Sequence, residues 1–310
     1  MKSDVKVAVT SRSFSRNPEL RAELLERYEN VTFNDKGVSL TGSHLAEFLK
    51  GHEKAITALE KIDGSLLKKI PELKVIGKYG VGLDMIDFDA MRKHGVKMGW
   101  RAGVNRRSVS ELVLAFSIVM LRHVPSVSRE VIGGVWQQKI GGLLSGRTVG
   151  IIGCGNVGKD LVTLLKPFNC KICVYDIVEY KAFYDEHDIK VLPLDELLAL
   201  SDIVTLHVPL DDSTSNMINK TRMSLMKPSA VLINTARGGL VDEEALKCAL
   251  IKGRLSAAAF DVFSVEPPED DSLIMLPNFL ATPHIGGSAK EAILAMGRAA
   301  IDGLDDYAEV

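Results

Sequence analysis

The last third of the sequence carries three chemically active side chains, each placed after a short apolar segment. Arg237 follows "LINTA", Glu266 comes soon after "AAAFDVF", and His284 follows "FLATP". Arginine presents a planar fork that matches a carboxylate, and histidine exchanges a proton near neutral pH. A carboxylate can orient and charge such a histidine. Together they suit proton transfer on a carboxylate-bearing substrate, although singly they could be a surface arginine, a solvated glutamate and a core histidine.

His284 lies in "LATPHIGGSAKEA", where two glycines follow it and a helix is predicted to begin. Ser288 and Glu291 have the spacing of a capping box, in which each side chain satisfies the other's backbone donor. The sequence therefore predicts that His284 is held on a turn just ahead of a helix. A proton carrier and a packed core histidine are the two interpretations to separate.

A glycine-rich turn precedes these residues in the chain. The stretch "TVGIIGCGNVGK" contains G-x-G-x-x-G at Gly153, Gly155 and Gly158, between a predicted strand and a predicted helix. In that context the glycines permit a tight turn, the approach of a pyrophosphate and close helix packing, respectively. Asp176 ends the next predicted strand, where a carboxylate binds ribose hydroxyls, and no arginine comes directly after it. The pattern predicts NAD rather than NADP, with a glycine turn lacking any ligand as the simpler alternative.

Strands and helices alternate along the chain and must position these residues. Apolar, β-rich segments recur between helical patterns over residues 1–100 and again over 148–283. Because most are continuously apolar, they suit parallel strands covered on both faces, and the predicted class is α/β with two doubly wound parallel-sheet domains. The stretch "SVSELVLAFSIVMLRHV" predicts one long buried helix over Ser108–Val124. We place the first domain at 1–101 plus 286–310 and the second at 102–285.

Composition excludes several classes of function. The 310 residues suit about two domains, and a net charge of −2 gives no basic field for nucleic acid. No apolar run reaches the roughly 20 residues of a membrane span, and the N-terminus lacks the apolar core of a signal peptide. We therefore expect a cytosolic protein. Cys170 and Cys173 form C-x-x-C on a predicted strand, where residues three apart point to opposite faces, so we expect packed thiols and no metal site.

Six stretches carry a resemblance to a known family: "KYGVGLDMID", "GVNRRSVSELVL", "GRTVGIIGCGNVGK", "NTARGGLVDEEAL", "AAFDVFSVEPP" and "TPHIGGSAKEA". Over nearly its whole length the sequence resembles the D-2-hydroxyacid dehydrogenases, and Glu266 argues against the formate dehydrogenases of the same superfamily. The resemblance implies a Rossmann NAD-binding domain, a flavodoxin-like substrate domain and an interdomain cleft. It also implies a homodimer formed through the helix that begins near Ser108 in the NAD-binding domain.

The resemblance further implies hydride transfer between NAD and C2 of a 2-oxo or 2-hydroxy acid. Arg237 would bind the substrate carboxylate and polarise the C2 oxygen, His284 would move the hydroxyl proton, and Glu266 would bond the far ring nitrogen. Asp261 corresponds to the residue that binds the nicotinamide carboxamide. The remaining implied cofactor contacts are Asn156, Val157, His207, Pro209, Thr235, Ala236 and Gly286. The implied substrate contacts, besides Arg237, are Lys78, Tyr79, Gly80, Val81 and Gly82.

Within that family the sequence is most similar to the D-3-phosphoglycerate dehydrogenases. This favours 3-phosphoglycerate and 3-phosphohydroxypyruvate as the substrate pair, with Lys78 either in a cationic phosphate pocket or solvated at the surface. Trp100 and Arg101 replace a common threonine–proline, so glyoxylate, hydroxypyruvate and a phosphonate-bearing 2-oxo acid are the alternatives. Because the sequence ends at Val310, we expect no regulatory domain and no feedback control by serine. A distant alternative is an NAD-sensing binding module like the corepressors that share this fold.

Overall fold

The structure, a computed structural model, describes residues 2–308 and divides the chain into two compact units. Unit 1 runs through Asn105 and resumes at Gly287, and unit 2 is Arg106–Gly286. The sequence predicted the first break after position 101, and the structure has it four residues later, after Asn105. The turn ahead of Arg106 belongs to unit 1 because Asn105 is buried there, with its side-chain amide close to Gly287.

Unit 1 is built on a five-stranded parallel sheet with the order β2-β1-β3-β4-β5. This is the flavodoxin-like order, and helices follow its strands in alternation. The strands are β1 Val7–Val9, β2 Val31–Phe33, β3 Lys54–Thr57, β4 Val75–Lys78 and β5 Lys97–Gly99. The helices are α1 Arg12–Arg16, α2 Pro18–Arg27, α3 Gly42–Leu49, α4 Gly64–Leu67 and α5 Phe88–His94.

Unit 2 is built on a seven-stranded parallel sheet with the order β12-β11-β10-β9-β6-β7-β8. The strands are β6 Thr148–Ile152, β7 Lys171–Tyr175, β8 Lys190–Val191, β9 Ile203–Leu206, β10 Val231–Asn234, β11 Ala257–Phe260 and β12 Phe279–Ala281. The helices are α6 Arg106–Leu121, α7 Val124–Ile132, α8 Asn156–Leu165, α9 Lys181–Glu186, α10 Leu194–Leu200, α11 Lys220–Met223 and α12 Glu243–Ile251.

The predicted class of two doubly wound parallel sheets is confirmed. Apolar clusters cover both faces of the sheet in unit 2, which explains why its strands read as continuous apolar runs. Successive strands run outward from β6 in two directions, through β7 on one side and through β9 on the other. The carboxyl end of β6 is therefore the switch point at which open α/β sheets bind ligands, and the glycine-rich turn begins there.

The helix predicted over Ser108–Val124 is present, but it ends at Leu121 and is not buried on every side. Helix α6 begins at Arg106 and ends at Leu121, and the chain bends by 63° into α7. His123 sits at the bend with a positive φ of 57°, and Pro125 follows in the first turn of α7. One side of α6 is open, because Ile118 is 38% exposed. Between residues 2 and 308 no single helix is long and apolar enough to cross a membrane, whereas the bent α6–α7 pair meets that test by length and composition only.

The final helix, α13 Lys290–Asp302, belongs to unit 1. Its N-cap is Ala289, so the predicted capping box between Ser288 and Glu291 does not form. The helix starts two residues after Ser288, which places that serine outside the cap position. Residues of α13 complete an apolar cluster with β1 and α2. Just beyond the helix, the Asp305 carboxylate accepts a hydrogen bond from the Tyr28 hydroxyl at 2.6 Å.

Candidate active site

His284 and Glu266 form a close pair in unit 2. The His284 Nδ1 and Glu266 Oε2 atoms are 2.8 Å apart, and the two side chains are 47% and 38% exposed. The interpretation of His284 as a packed core histidine is therefore wrong. Because Nδ1 faces the glutamate, Nε2 is the ring nitrogen that remains for proton exchange with a substrate. The carboxylate thus fixes the orientation of the ring.

The turn that carries His284 is held by a buried carboxylate, Asp261, directly after β11. Its oxygens accept hydrogen bonds from the backbone amides of Ile285 and Gly286, both at 2.7 Å, and from the Thr282 hydroxyl. The backbone amide of His284 donates to the Asp261 carbonyl at 2.9 Å, and the residue has a positive φ of 55°. Asp261 thus fixes the backbone on which the histidine stands. A carboxylate can accept about four hydrogen bonds, which leaves capacity for a ligand.

Arg237 lies on the loop after β10, and this loop packs against the loop that carries Glu266. Asn234 shapes the Arg237 loop, because its side chain donates to the Arg237 carbonyl and accepts from the Ala236 amide. At Gly238, a Cβ atom would lie 1.9 Å from the Phe263 carbonyl oxygen. Only glycine allows that approach, so the arginine loop is seated directly on the chain segment that leads to Glu266.

The loop of Glu266 has two further ties. The Phe263 amide donates to Glu266 Oε1 at 3.1 Å, which closes the loop on itself. Glu243, the first residue of α12, accepts hydrogen bonds through Oε1 from both the backbone amide and the hydroxyl of Ser264, each at 2.8 Å. Sequence reasoning missed Glu243 and Ser264, because no local pattern links a helix start to a loop 21 residues away.

The glycine-rich turn has the shape of a phosphate-binding cradle. Gly153 has φ 94°, and a Cβ there would lie 2.7 Å from the His207 carbonyl oxygen. At Gly155, the N-cap of α8, an added Cβ would meet no described atom within 4 Å. Asn156 and Val157 follow as the first residues of α8, whose initial amides have no partners inside the helix. A phosphate fits at this helix start without any change in the backbone.

Asp176 lies beside that turn, directly after β7. Its carboxylate accepts hydrogen bonds from the Cys154 amide at 2.6 Å and from the Val178 amide at 2.9 Å. Strands β6 and β7 are neighbours and run parallel, so their carboxyl ends meet at one edge of the sheet. The acidic side chain and the glycine turn are therefore brought together as the sequence predicts.

Two further predicted cofactor contacts follow the central strands of the same sheet. The His207 Nε2 and Thr205 Oγ1 atoms lie 3.0 Å apart, and burial lowers the pKa of His207 to about 3. His207 is thus neutral at physiological pH and cannot serve as a charged proton donor. After β10, the Thr235 hydroxyl is buried without a hydrogen-bond partner among the described residues. A buried hydroxyl of this kind fits a ligand that supplies the missing bond.

The predicted substrate loop lies in unit 1, after β4. Tyr79 is buried, with its hydroxyl 3.1 Å from the Ser13 hydroxyl, and Gly80 has φ 115°. Val81 and Gly82 are half-buried. Lys78 is only 3% exposed and its ammonium donates to the Ala58 carbonyl. The interpretation of Lys78 as a solvated surface charge is therefore wrong.

The two cysteines of the C-x-x-C pair differ in burial: Cys170 is half-buried, and Cys173, on β7, is buried. Cys170 and Cys173 are free thiols, and burial raises the pKa of both. Over residues 2–308, no group of three or more histidine, cysteine, aspartate or glutamate side chains could hold a metal ion.

Comparisons with known proteins agree with this arrangement. Residues 114–286 match the family model of the D-isomer specific 2-hydroxyacid dehydrogenase, NAD binding domain. The chain is 35% identical over 282 residues to a D-3-phosphoglycerate dehydrogenase of Methanocaldococcus jannaschii, covering 90% of this chain and 54% of that protein. It is 36% identical over 247 residues to a hydroxypyruvate reductase of Thermotoga maritima, covering 78% and 80%. A D-lactate dehydrogenase of Aquifex aeolicus, solved with NAD and lactic acid, superimposes with a TM-score of 0.81 at 28% identity, covering 96% and 93%.

The chain spans about half the length of the Methanocaldococcus jannaschii protein. The matched family model covers most of unit 2, including the glycine turn, Asp176 and the turn that carries His284. The chain belongs to the D-isomer specific 2-hydroxyacid dehydrogenases, and its residues 114–286 form the NAD-binding domain of that family.

Proposed function

We propose that this protein is an NAD-dependent D-2-hydroxyacid dehydrogenase that interconverts a 2-oxo acid and its 2-hydroxy acid. The observation that carries the proposal is the 2.8 Å contact between Glu266 and His284, on a loop that packs against the loop of Arg237. His284 would supply the proton, and the Glu266 carboxylate would orient the ring. Arg237 would bind the carboxylate of the substrate. Neutral His207 does not compete for the role of proton donor.

The residues of unit 2 fit NAD. The open cradle at Gly155 would hold the pyrophosphate, and Asp176 would accept hydrogen bonds from the ribose hydroxyls. The unpartnered Thr235 hydroxyl would bond to the cofactor. Ala236, the next residue, and Pro209, after β9, lie on loops that follow two neighbouring parallel strands. NAD, when bound, supplies or accepts the hydride. Because Asp176 would repel a 2′-phosphate, we expect NAD to be used in preference to NADP.

The chain's own residues would divide the remaining chemistry. Arg237 would hold the substrate carboxylate and polarise the C2 oxygen. His284 would give a proton from Nε2 to that oxygen in reduction and take it back in oxidation. Glu266 would favour the charged ring that donates the proton in reduction and forms in oxidation, and it would fix which nitrogen carries the exchangeable proton.

For the substrate, we propose a short 2-oxo acid without a phosphate, of the hydroxypyruvate or glyoxylate type. A phosphate carries nearly two negative charges and binds best to accessible cations. Lys78, the cation that the sequence analysis considered for a phosphate pocket, is buried and donates to the Ala58 carbonyl. The second candidate is 3-phosphohydroxypyruvate, favoured by the similarity to a D-3-phosphoglycerate dehydrogenase. Exposed Arg12, the first residue of α1, would then be the cation that binds its phosphate.

The experiment measures kcat/KM with NADH for glyoxylate, hydroxypyruvate and 3-phosphohydroxypyruvate. We expect hydroxypyruvate or glyoxylate to be reduced faster than the phosphorylated acid, and His284→Ala to lose most of that rate while still binding NADH. A higher kcat/KM on 3-phosphohydroxypyruvate that Arg12→Ala removes would establish the second candidate. Turnover of none of the three acids, with NADH bound, would reject the dehydrogenase and favour the cofactor-sensing module.

We further propose that the protein is a homodimer formed through unit 2. Large apolar side chains are exposed on α7 and in the segment after it: Ile132 is 84% exposed, Trp136 88% and Ile140 98%. Surfaces of this kind mark protein interfaces, and a groove of about 740 Å³ lined by Met120 and Leu250 adjoins them. We expect light scattering to give a dimer and Trp136→Asp to give a monomer. The same change at equally exposed Ile177 serves as the control.

The proposed compartment is the cytosol. The four cysteines are all free thiols. Reduced thiols are usual in that compartment. Fractionation of cells that express the tagged protein tests this.

A further inference from the structure

The Glu243 side chain lies outside the Glu266–His284 pair but binds the loop that carries Glu266. Glu243 receives two hydrogen bonds from a single residue, Ser264, at the backbone amide and at the hydroxyl. Both bonds end on the same carboxylate oxygen and both measure 2.8 Å. Ser264 lies two residues before Glu266, so the tie acts on the short loop that presents the glutamate.

The helix that carries Glu243 is a rigid support. Asp242 caps α12 by accepting a hydrogen bond from the Ala245 amide at 2.9 Å. Leu246 and Leu250, one and two turns on, are buried in the apolar core of unit 2. The loop, by contrast, is exposed from Ser264 onward. The two bonds to Glu243 therefore attach an exposed loop to a helix whose apolar side is packed in the core.

An acidic residue in the first turn of a helix is common, because it interacts favourably with the helix dipole. The neighbouring Glu244 shows what that ordinary role looks like. It is exposed and pairs with Lys247 on its own helix at 2.8 Å. Glu243 differs because its carboxylate accepts hydrogen bonds from the loop that carries Glu266 rather than pairing with a residue of its own helix.

We propose that Glu243 is a positioning residue: by holding Ser264, it keeps the Glu266 carboxylate against Nδ1 of His284. This rests on the proposed function, in which Glu266 favours the charged ring. The ionisable groups that border His284 in unit 2 are Glu266 at the ring and Asp261 beneath its turn, with Arg237 on the adjoining loop. Loss of Glu243 leaves all three in place but loosens the first.

The test compares Glu243→Ala, Glu243→Gln and the control Glu244→Ala. Reductase activity against pH gives a midpoint at which half the rate is lost as the ring loses its proton. We expect Glu243→Ala to lower that midpoint by about 0.7 pH unit, the shift that corresponds to one ordinary hydrogen bond of about 1 kcal/mol at 1.36 kcal/mol per pH unit. Glu243→Gln keeps an acceptor oxygen and restores the normal midpoint, and Glu244→Ala leaves it unchanged.

A second measurement needs no turnover. NMR titration of the His284 ring in the full chain, assigned among the seven histidines with His284→Ala, follows the same proton directly. We expect Glu243→Ala to shift this titration in the wild-type background and not in a Glu266→Gln background, because its effect passes through Glu266.

The outcomes separate the two proposals. An unchanged titration in Glu243→Ala, or an equal shift with and without Glu266, overturns the positioning role. A lower melting temperature with an unchanged titration also overturns it, because the residue is then merely structural. If Glu243→Ala fails to fold, Ser264→Ala, which deletes one of the two bonds, decides the question in the same assay. A normal shift in a protein that reduces no 2-oxo acid rejects the dehydrogenase function and leaves the positioning intact.

Discussion

Replacing Asp261 by asparagine tests whether a buried carboxylate holds the catalytic turn. Asp261 is 1% exposed, and three donors from the turn converge on its two oxygens. Asparagine has almost the same shape but offers one acceptor and one donor group. Whichever way the amide is oriented, its NH₂ group faces a backbone N–H that also donates. The variant therefore keeps the volume of the site and removes its hydrogen bonding.

The magnitude follows from those contacts. A hydrogen bond to a charged group contributes about 1.5–3 kcal/mol, and a buried donor left unsatisfied costs a further 1–3 kcal/mol or so. We expect Asp261→Asn to lower the free energy of unfolding of unit 2 by about 3 kcal/mol. At roughly 2–4 °C per kcal/mol, the melting temperature would fall by about 6–12 °C. Because the Asp261 carboxylate holds the turn that carries His284, we also expect roughly hundredfold slower turnover, the usual cost of about 1 Å of misplacement.

The assay combines thermal unfolding with kcat/KM measured well below the melting temperature of the variant. Asp212→Asn is the matched control, because Asp212 is exposed and the same change there removes the same charge. If Asp261→Asn unfolds within about 0.5 kcal/mol of the wild type and turns over normally, the carboxylate does not organise this turn. Slow turnover with unchanged stability would mean instead that the side chain acts on the ligand alone.

Three other outcomes are expected. Glu266→Gln should move the pH profile of reduction to lower pH by more than Glu243→Ala does, whereas an unmoved profile would separate Glu266 from proton transfer. Asp176→Ala should weaken NADH use and narrow the gap to NADPH in kcat/KM, and equal use of both cofactors by the wild type would contradict the ribose role. Burial raises the pKa of Asp305, but hydrogen bonds from Lys54 and Tyr28 lower it more, so the pKa is lower in the folded state than in the unfolded state. The carboxylate therefore stabilises the fold fully at pH values above its unfolded-state pKa, and this stabilisation is lost as the pH falls through its folded-state pKa. Asp305→Asn should therefore lower the melting temperature at pH 7 and have a smaller effect in acid.

The site could be predicted from sequence wherever one strand and its following turn contain the whole signal. The glycine turn and Asp176 are of this kind, because parallel neighbouring strands bring their carboxyl ends together. Boundaries were less certain: the bend at His123 depends on a left-handed residue that no apolar pattern encodes. The cap at Ala289 was missed for a related reason. The spacing of Ser288 and Glu291 is a local pattern, whereas packing of α13 in the folded protein makes the helix begin at Lys290.

Two contacts between distant segments could not be predicted from the sequence. Lys78 has the same sequence neighbourhood whether its ammonium lies in solvent or against the Ala58 carbonyl, and only the packing of β3 beside β4 decides. The link from Glu243 to Ser264 joins a helix start to a loop that is fixed by the approach of Gly238 to Phe263. Such links arise from the arrangement of whole elements, so their energetic importance is visible only in three dimensions.

The division of the chain has a consequence for its synthesis. Unit 2 is an uninterrupted segment, whereas unit 1 is completed only by the final helix. Met296 and Ala300 on that helix close the cluster that contains Phe14, Leu20 and Ile56. Because the chain is synthesised from its N-terminal end, those apolar side chains remain exposed while unit 2 is synthesised and folds. The synthesis of unit 1 therefore begins before that of unit 2 but is completed after it, so the apolar side chains of unit 1 are exposed to chaperones and to aggregation for longer.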